Sequence, residues 1–130
     1  MIDVVAAVLI EKDKILIARK KPEKSLGGYW EFPGGKIEKG EEPPESLVRE
    51  LKEEMDIDIA VKSYITDSIY DYGNIQVRLI GYTAEILSGE IKLVDHDEYE
   101  WVTLEEVAKY KLAPADIPLV EKLKVINMRE

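Results

Sequence analysis

The sequence predicts an α/β sandwich built around a mixed β-sheet, and three observations carry that expectation. Runs rich in β-branched and aromatic residues stand before, between and after segments of helical period. The apolar run VVAAVLI near the start is bounded at once by charged EKDK, as a buried strand would be. At 130 residues the chain is long enough for a real core without room for two, so residues 1–130 are expected to form one domain.

Taken in order, Val4–Ile10 and Ile15–Lys20 read as two strands joined by the polar turn EKDK. A polar loop over 21–28 leads to a short extended piece, Tyr29–Phe32, which ends at Pro33. Gly34-Gly35 is then expected to force an unusual backbone path. A helix should begin near Pro43 or Pro44, residues suited to a first turn, and run to about Met55. Leu47, Val48, Leu51 and Met55 fall within about 100° on its wheel, so they anchor it to the core. Beyond Ile57 the period becomes strand-like: Lys62–Tyr70 and Ile75–Leu87 are split by DYGN, a hairpin signal. Tyr99–Val102 reads as another short strand. Thr103 and Glu106 make a capping box opening a short helix to about Tyr110. Asp116 is expected to cap a last helix, with Pro118 in its first turn and Leu119, Leu123 and Ile126 on its inner face.

Composition excludes several classes. At 45% hydrophobic and 35% charged, the chain is of the soluble globular kind. It contains no cysteine, which rules out a disulfide framework or a zinc–thiolate site and fits a cytoplasmic location. VVAAVLI is too short and lacks the basic leader of a signal or membrane span, so no membrane partner is expected. A net charge of −9 argues against binding a nucleic-acid polymer. A small phosphorylated ligand remains compatible, because bound cations reverse the local field.

The stretch RELKEEM, Arg49 to Met55, raises an electrostatic question. On a helix Glu50, Glu53 and Glu54 share one flank, separate from the leucines. At roughly 6 Å and an effective dielectric of about 20, each like pair costs about 3 kcal/mol before salt screening. Either the acids splay into water with Arg49 an ordinary surface cation, or a cation sits among them. Oxygen-only ligands without cysteine suit a hard ion, Mg²⁺ or Mn²⁺. Such an ion would neutralise a diphosphate and orient water for in-line attack.

Gly35, Glu41, Arg49, Glu50, Leu51, Glu53, Glu54 and Ile57 are spaced G-x5-E-x7-R-E-L-x-E-E-x-D-I. This resembles the Nudix box, G-x5-E-x7-R-E-U-x-E-E-x-G-U with U aliphatic, at every fixed position but one. The resemblance implies a Nudix-type α/β/α sandwich and Mg²⁺- or Mn²⁺-dependent hydrolysis of a nucleoside diphosphate linked to another moiety. It implies metal ligands at Glu50, Glu53, Glu54 and the Gly34 carbonyl, and Glu41 can join the cluster from the loop. Glu50 is the first choice of general base, although base assignment differs among members, and Arg49 is expected to orient a carboxylate. DHDEYEW lies where many relatives supply another acid; Glu98 is favoured over Asp95 as the extra ligand or base, and His96 is read as a loop residue. Asp56 replaces the glycine of the box just past the helix, a departure expected to cost about 1 kcal/mol and to leave the chemistry in place.

YWEFPGGKIEKGE and LAPADIPLVEKL resemble the MutT-type branch, with its nucleotide-pool sanitising enzymes and CTP pyrophosphohydrolases. That resemblance assigns Asp116 to the base, Lys20 to the neighbourhood of the phosphates, and Glu31, Phe32, Pro33 and Gly34 to the substrate-binding segment. MutT itself carries asparagine at the position of Asp116, so its base preference does not carry over directly. An ionised Asp116 only accepts hydrogen bonds, from guanine N1–H and N2–H₂ or from cytosine N4–H₂. Oxidised dGTP and (d)CTP analogues are therefore expected to lead. Tyr29, Trp30 and Phe32 are aromatic candidates for stacking, though mostly expected in the core. The expected partner is a small nucleotide, the expected state a monomer or homodimer. ADP-ribose, sugar nucleotides or dinucleoside polyphosphates form the second reading, and a non-catalytic nucleotide-sensing domain a third.

Overall fold

The computed structural model describes residues 1–129. In chain order its elements are β1 Ile2–Glu11, β2 Lys14–Lys20, β3 Trp30–Glu31, β4 Gly34–Lys36, α1 Pro43–Met55, β5 Asp58–Asp71, β6 Gln76–Ser88, β7 His96–Val102 and α2 Ile117–Arg129. β1 sits in the middle and makes the sheet mixed. It runs parallel to β6 and antiparallel to β2 and β4, and β5 completes the sheet as the edge strand beyond β6. Alternation along β1 sends Val5, Ala7 and Leu9 to one face, where Leu16, Ala18, Leu47, Leu51 and Met55 pack under α1. Ala6 and Val8 go to the other face, with Ile17, Leu79, Leu119 and Leu123 under α2. A helix thus covers each face, and the architecture is an α/β/α sandwich. No described helix is long and apolar enough to cross a membrane.

The edge of β1 opposite β6 is shared between two partners, and this positions everything that follows. Ile10 and Glu11 pair with β2, whereas Val4, Val5 and Ala6 pair with β4. Past the hairpin, β2 leaves β1 and takes β7 and β3 as its neighbours. The chain crosses this split between β3 and β4, where the Ala7 amide donates to the Pro33 carbonyl at 2.8 Å. Gly34 and Gly35 do not adopt the left-handed backbone that an unusual path would need. They belong to β4, and glycine is required there for close approach. A Cβ on Gly34 would strike the Val5 carbonyl, and one on Gly35 the Glu50 carboxylate.

Three further expectations change. Thr103 and Glu106 do exchange their capping bonds, at 2.9 and 3.1 Å. Only a single 3-10 turn follows, Glu106–Lys109, because the chain must return to β3. There the Trp30 amide donates to Lys111 and the Ala113 amide to the Trp30 carbonyl, both at 2.8 Å. Asp116 directly precedes α2, but it ends a second 3-10 turn and its carboxyl accepts the Phe32 amide at 2.8 Å. β7 begins at His96, three residues earlier than expected.

Asp56 ends α1 in the left-handed conformation, φ 57° and ψ 38°, as its position in the box requires. Its ion pairs with Lys52 and Lys92, each 3.6 Å, are exposed and contribute little. Asp56→Gly should therefore stabilise the protein by about 1 kcal/mol. Urea denaturation measures this, and a loss of stability would mean that the ion pairs outweigh the backbone strain.

Candidate functional site

Leu47, Leu51 and Met55 are fully buried, so α1 has a fixed roll and its acidic flank a fixed direction. Arg49 occupies the centre of that flank. Its guanidinium grips Glu41 with two hydrogen bonds, Nε to Oε2 at 2.6 Å and Nη2 to Oε1 at 2.9 Å. Nη1 donates to Glu50 Oε1 at 3.1 Å and to Glu53 Oε2 at 3.0 Å, and Nη2 also reaches the Lys36 carbonyl at 3.1 Å. The crowding of RELKEEM is thus relieved from within: Arg49 is no loose surface cation. Its hydrogen bonds, with the Glu38 amide second, hold the Glu41 carboxyl down to about 2.

The other acids are less compensated. Glu50 is 8% exposed and faces Gly35. Burial raises its carboxyl above the ordinary range, against the pull of Arg49. Glu54 has a buried Oε2 with no hydrogen-bond partner. Burial first, and then the neighbouring Asp95, push its carboxyl up to about 7. Asp95 moves down, stabilised by Glu54 and by Lys24, whose Nζ lies 3.3 Å away. Asp95 has a cation of its own, so of the two carboxyls Glu54 is the one whose ionisation is disfavoured.

Of the two acids weighed for the extra role, Asp95 is the one that lies beside Glu54. Glu98 pairs with Arg19 at 3.2 Å on an exposed part of β7. A one-residue irregularity in β7 separates the two acids, and nothing in the local residue pattern announces it.

The split between β1 and β2 opens into a cleft of about 190 Å³. Lys20, Glu31, Phe32, Gly34, Gly35 and Asp116 line it, so the backbone beside Glu50 and the carboxyl of Asp116 share one space. Pro33 is buried, and so are the rings of Trp30 and Phe32, which belong to the core under α2; Trp30 meets Tyr110 edge-on at 4.9 Å. Tyr29 is partly exposed, with the Lys111 ammonium 4.2 Å above its ring. Asp116 is 5% exposed, and burial together with the Glu31 charge raises its carboxyl well above the ordinary value. A larger cleft of about 390 Å³ beside Lys12 and Leu104 shares no residue with the glutamates.

The donors present fit a hard divalent cation. Every candidate ligand is oxygen, Glu54 keeps a buried unpartnered oxygen, and the missing Cβ of Gly35 leaves room at the Glu50 carboxylate. The three glutamates do not form a ready-made cage: among the described residues no three acids or histidines converge on one point. Arg49 holds Glu50 and Glu53, while Glu54 turns to Asp95.

An α/β/α sandwich with an arginine-organised glutamate flank beside a Gly-Gly strand defines a protein class suited to metal-assisted phosphate chemistry. The NUDIX domain model matches residues 1–123, and the chain belongs to that family. Over 127 residues it is 37% identical to the CTP pyrophosphohydrolase of Escherichia coli K12, covering 98% of this chain and 94% of that one. It is 32% identical over 114 residues to the 8-oxo-dGTP diphosphatase of the same strain, covering 88% of each. The crystal structure of a MutT protein from Methanosarcina mazei Go1 matches with a TM-score of 0.87 at 26% identity, over 97% of this chain and 94% of that one. Nudix hydrolases generally use a divalent metal ion.

The raised Asp116 carboxyl links stability to pH. The native state keeps a proton that the unfolded chain releases above the ordinary value of 3.8, so this group's contribution falls as pH rises. Asp116→Asn, which still accepts the Phe32 amide, should be more stable than wild type at pH 8. The difference should vanish below about pH 4. Denaturation midpoints of both proteins across that range decide it; a difference that does not change with pH would mean Asp116 is ionised when folded.

Proposed function

We propose that this protein hydrolyses nucleoside triphosphates to nucleoside monophosphate and pyrophosphate with Mg²⁺, preferring oxidised dGTP-type and (d)CTP-type nucleotides. The observation that carries this reading is the cleft itself: the buried Asp116 carboxyl, suited to a base, lines it together with Lys20 and with Gly34 and Gly35, whose backbone lies against Glu50 of the glutamate flank. The similarity to a CTP pyrophosphohydrolase and an 8-oxo-dGTP diphosphatase supports the same substrate class.

In this reading Glu50, Glu53 and Glu54, with the Gly34 carbonyl, hold the metal ion, and Asp95 replaces Glu98 as the neighbouring acid. When bound, the ion supplies charge neutralisation on the phosphates and a polarised water. Glu50 accepts the proton of the attacking water, for which its raised carboxyl is suited. Arg49 keeps Glu50 and Glu53 oriented and gives Glu41 the cation it needs. Lys20, on the cleft wall, faces the phosphate chain.

Asp116 selects the base, and its environment changes the donor pattern expected of it. A neutral carboxyl presents one donor beside one acceptor. Cytosine offers the complement at N3 and N4–H₂, and an oxidised guanine does so at O6 and N7–H. On the same Hoogsteen edge ordinary guanine has two acceptors, O6 and N7, and leaves one position unmatched, so the discrimination holds for a base presented by that edge. A free nucleotide from the cytoplasmic pool suits the net charge of −9 better than a nucleic-acid polymer does.

A kinetic panel of canonical and oxidised triphosphates, ADP-ribose and sugar nucleotides, with Mg²⁺ and Mn²⁺, tests the assignment. Turnover of ADP-ribose far above every triphosphate would refute it. Glu50→Gln should lower kcat by about 10²–10⁴. Glu53→Gln should raise the Mg²⁺ needed for half-maximal rate, and unchanged turnover in both variants would remove the metal site from this flank.

A further inference from the structure

β7 carries one irregularity. Its pairing with β2 steps from Arg19–Glu98 to Lys20–His96, so Asp97 is an extra residue. Asp97 and Glu98 both turn to Arg19, at 2.8 and 3.2 Å. A bulge of this kind re-aims the side chain beside it on the strand, here that of the preceding residue. His96 consequently points inward and is 3% exposed, with Nε2 2.9 Å from Glu31 Oε2. Glu31 in turn lies opposite Ala18 and lines the cleft with Asp116.

The imidazole has one polar use. In the tautomer that carries its proton on Nε2, the imidazole donates to the Glu31 carboxylate. Nδ1 is buried without any hydrogen-bond partner. A histidine kept only for packing would be a poor choice here, because a leucine or methionine would fill similar space without an orphaned nitrogen. The contact with Glu31 is what distinguishes histidine from those residues. Glu31 is partly exposed and, without this bond, free to turn toward Lys20 or solvent.

We propose that His96 is a positioning residue for base selection: it holds Glu31 beside Asp116, so that the base meets two carboxyl groups in a fixed arrangement. His96 touches no substrate itself and acts through Glu31. The inference rests on the nucleotide reading above. It adds a residue from β7 to a specificity wall otherwise built by β3 and the turn before α2.

The test compares wild type, His96→Leu, His96→Gln and Glu31→Ala, with the double variant His96→Leu/Glu31→Ala. The substrates are CTP, dGTP and 8-oxo-dGTP. His96→Leu should raise KM for the best nucleotide about tenfold, the scale of a lost hydrogen bond to a charged group, and should compress the preference between bases. Its kcat should change much less than its KM. Gln, whose amide nitrogen can donate to Glu31, should restore most of the KM and the preference. In the Glu31→Ala background His96→Leu should have no further effect. Unchanged KM and preference in a folded His96→Leu protein would overturn the proposal, as would an undiminished effect without Glu31. If wild type turns over no triphosphate, the nucleotide reading falls instead, and the same cycle is run on whichever substrate the wider panel shows.

Discussion

The guanidinium of Arg49 is the constraint on which the site depends. It is fixed in one plane with a rigid fork of donors, and it spends them on Glu41 from the loop, Glu50 and Glu53 from α1, and the Lys36 carbonyl from β4. Three segments that share no regular backbone pairing with one another are thereby locked in one arrangement. A lysine, with a single compact charge, has no means of making the paired grip on Glu41. The arginine also explains how a helix tolerates a flank that would otherwise repel itself.

A second constraint is the split between β1 and β2. Because β1 divides one edge between β2 and β4, the chain has to cross the gap at Phe32 and Pro33. The crossing brings the Phe32 amide to Asp116 and sets Gly35 under Glu50. The two glycines serve proximity rather than a turn. One admits the β1 backbone and the other a carboxylate, and a methyl group at either position would have to displace what it meets.

The acidic residues divide by how their charge is compensated. Glu41 is paired directly with Arg49 and stays ionised. Glu54 and Asp116 are desolvated and lie near other carboxylates, so both carboxyls are raised above the ordinary range. At Asp116 a retained proton would add a donor to a group that otherwise only accepts. At Glu54 the raised carboxyl has an oxygen without a protein partner, the sort of group that a hard cation satisfies.

Much of the site could be read from RELKEEM and its flanking spacings, because helical geometry is local: residues three and four apart share a flank in whatever fold receives them. The limits of α1 from Pro43 to Met55, the two-faced core and the left-handed Asp56 followed from the same short-range rules. Tertiary structure decided what depends on residues distant in sequence. That Asp95 lies beside Glu54 while Glu98 pairs with Arg19 goes with a single bulge in β7, which changes side-chain direction without altering composition. Asp116 resembled a helix cap because short polar residues cap helices. Its carboxyl is bonded to the amide of Phe32, 84 positions away, and its protonation is set by burial and by Glu31. The sequence by itself determined which residue types stand together on a helix. Only the folded chain decided which of them face one another across the sheet, because burial and charge act through space.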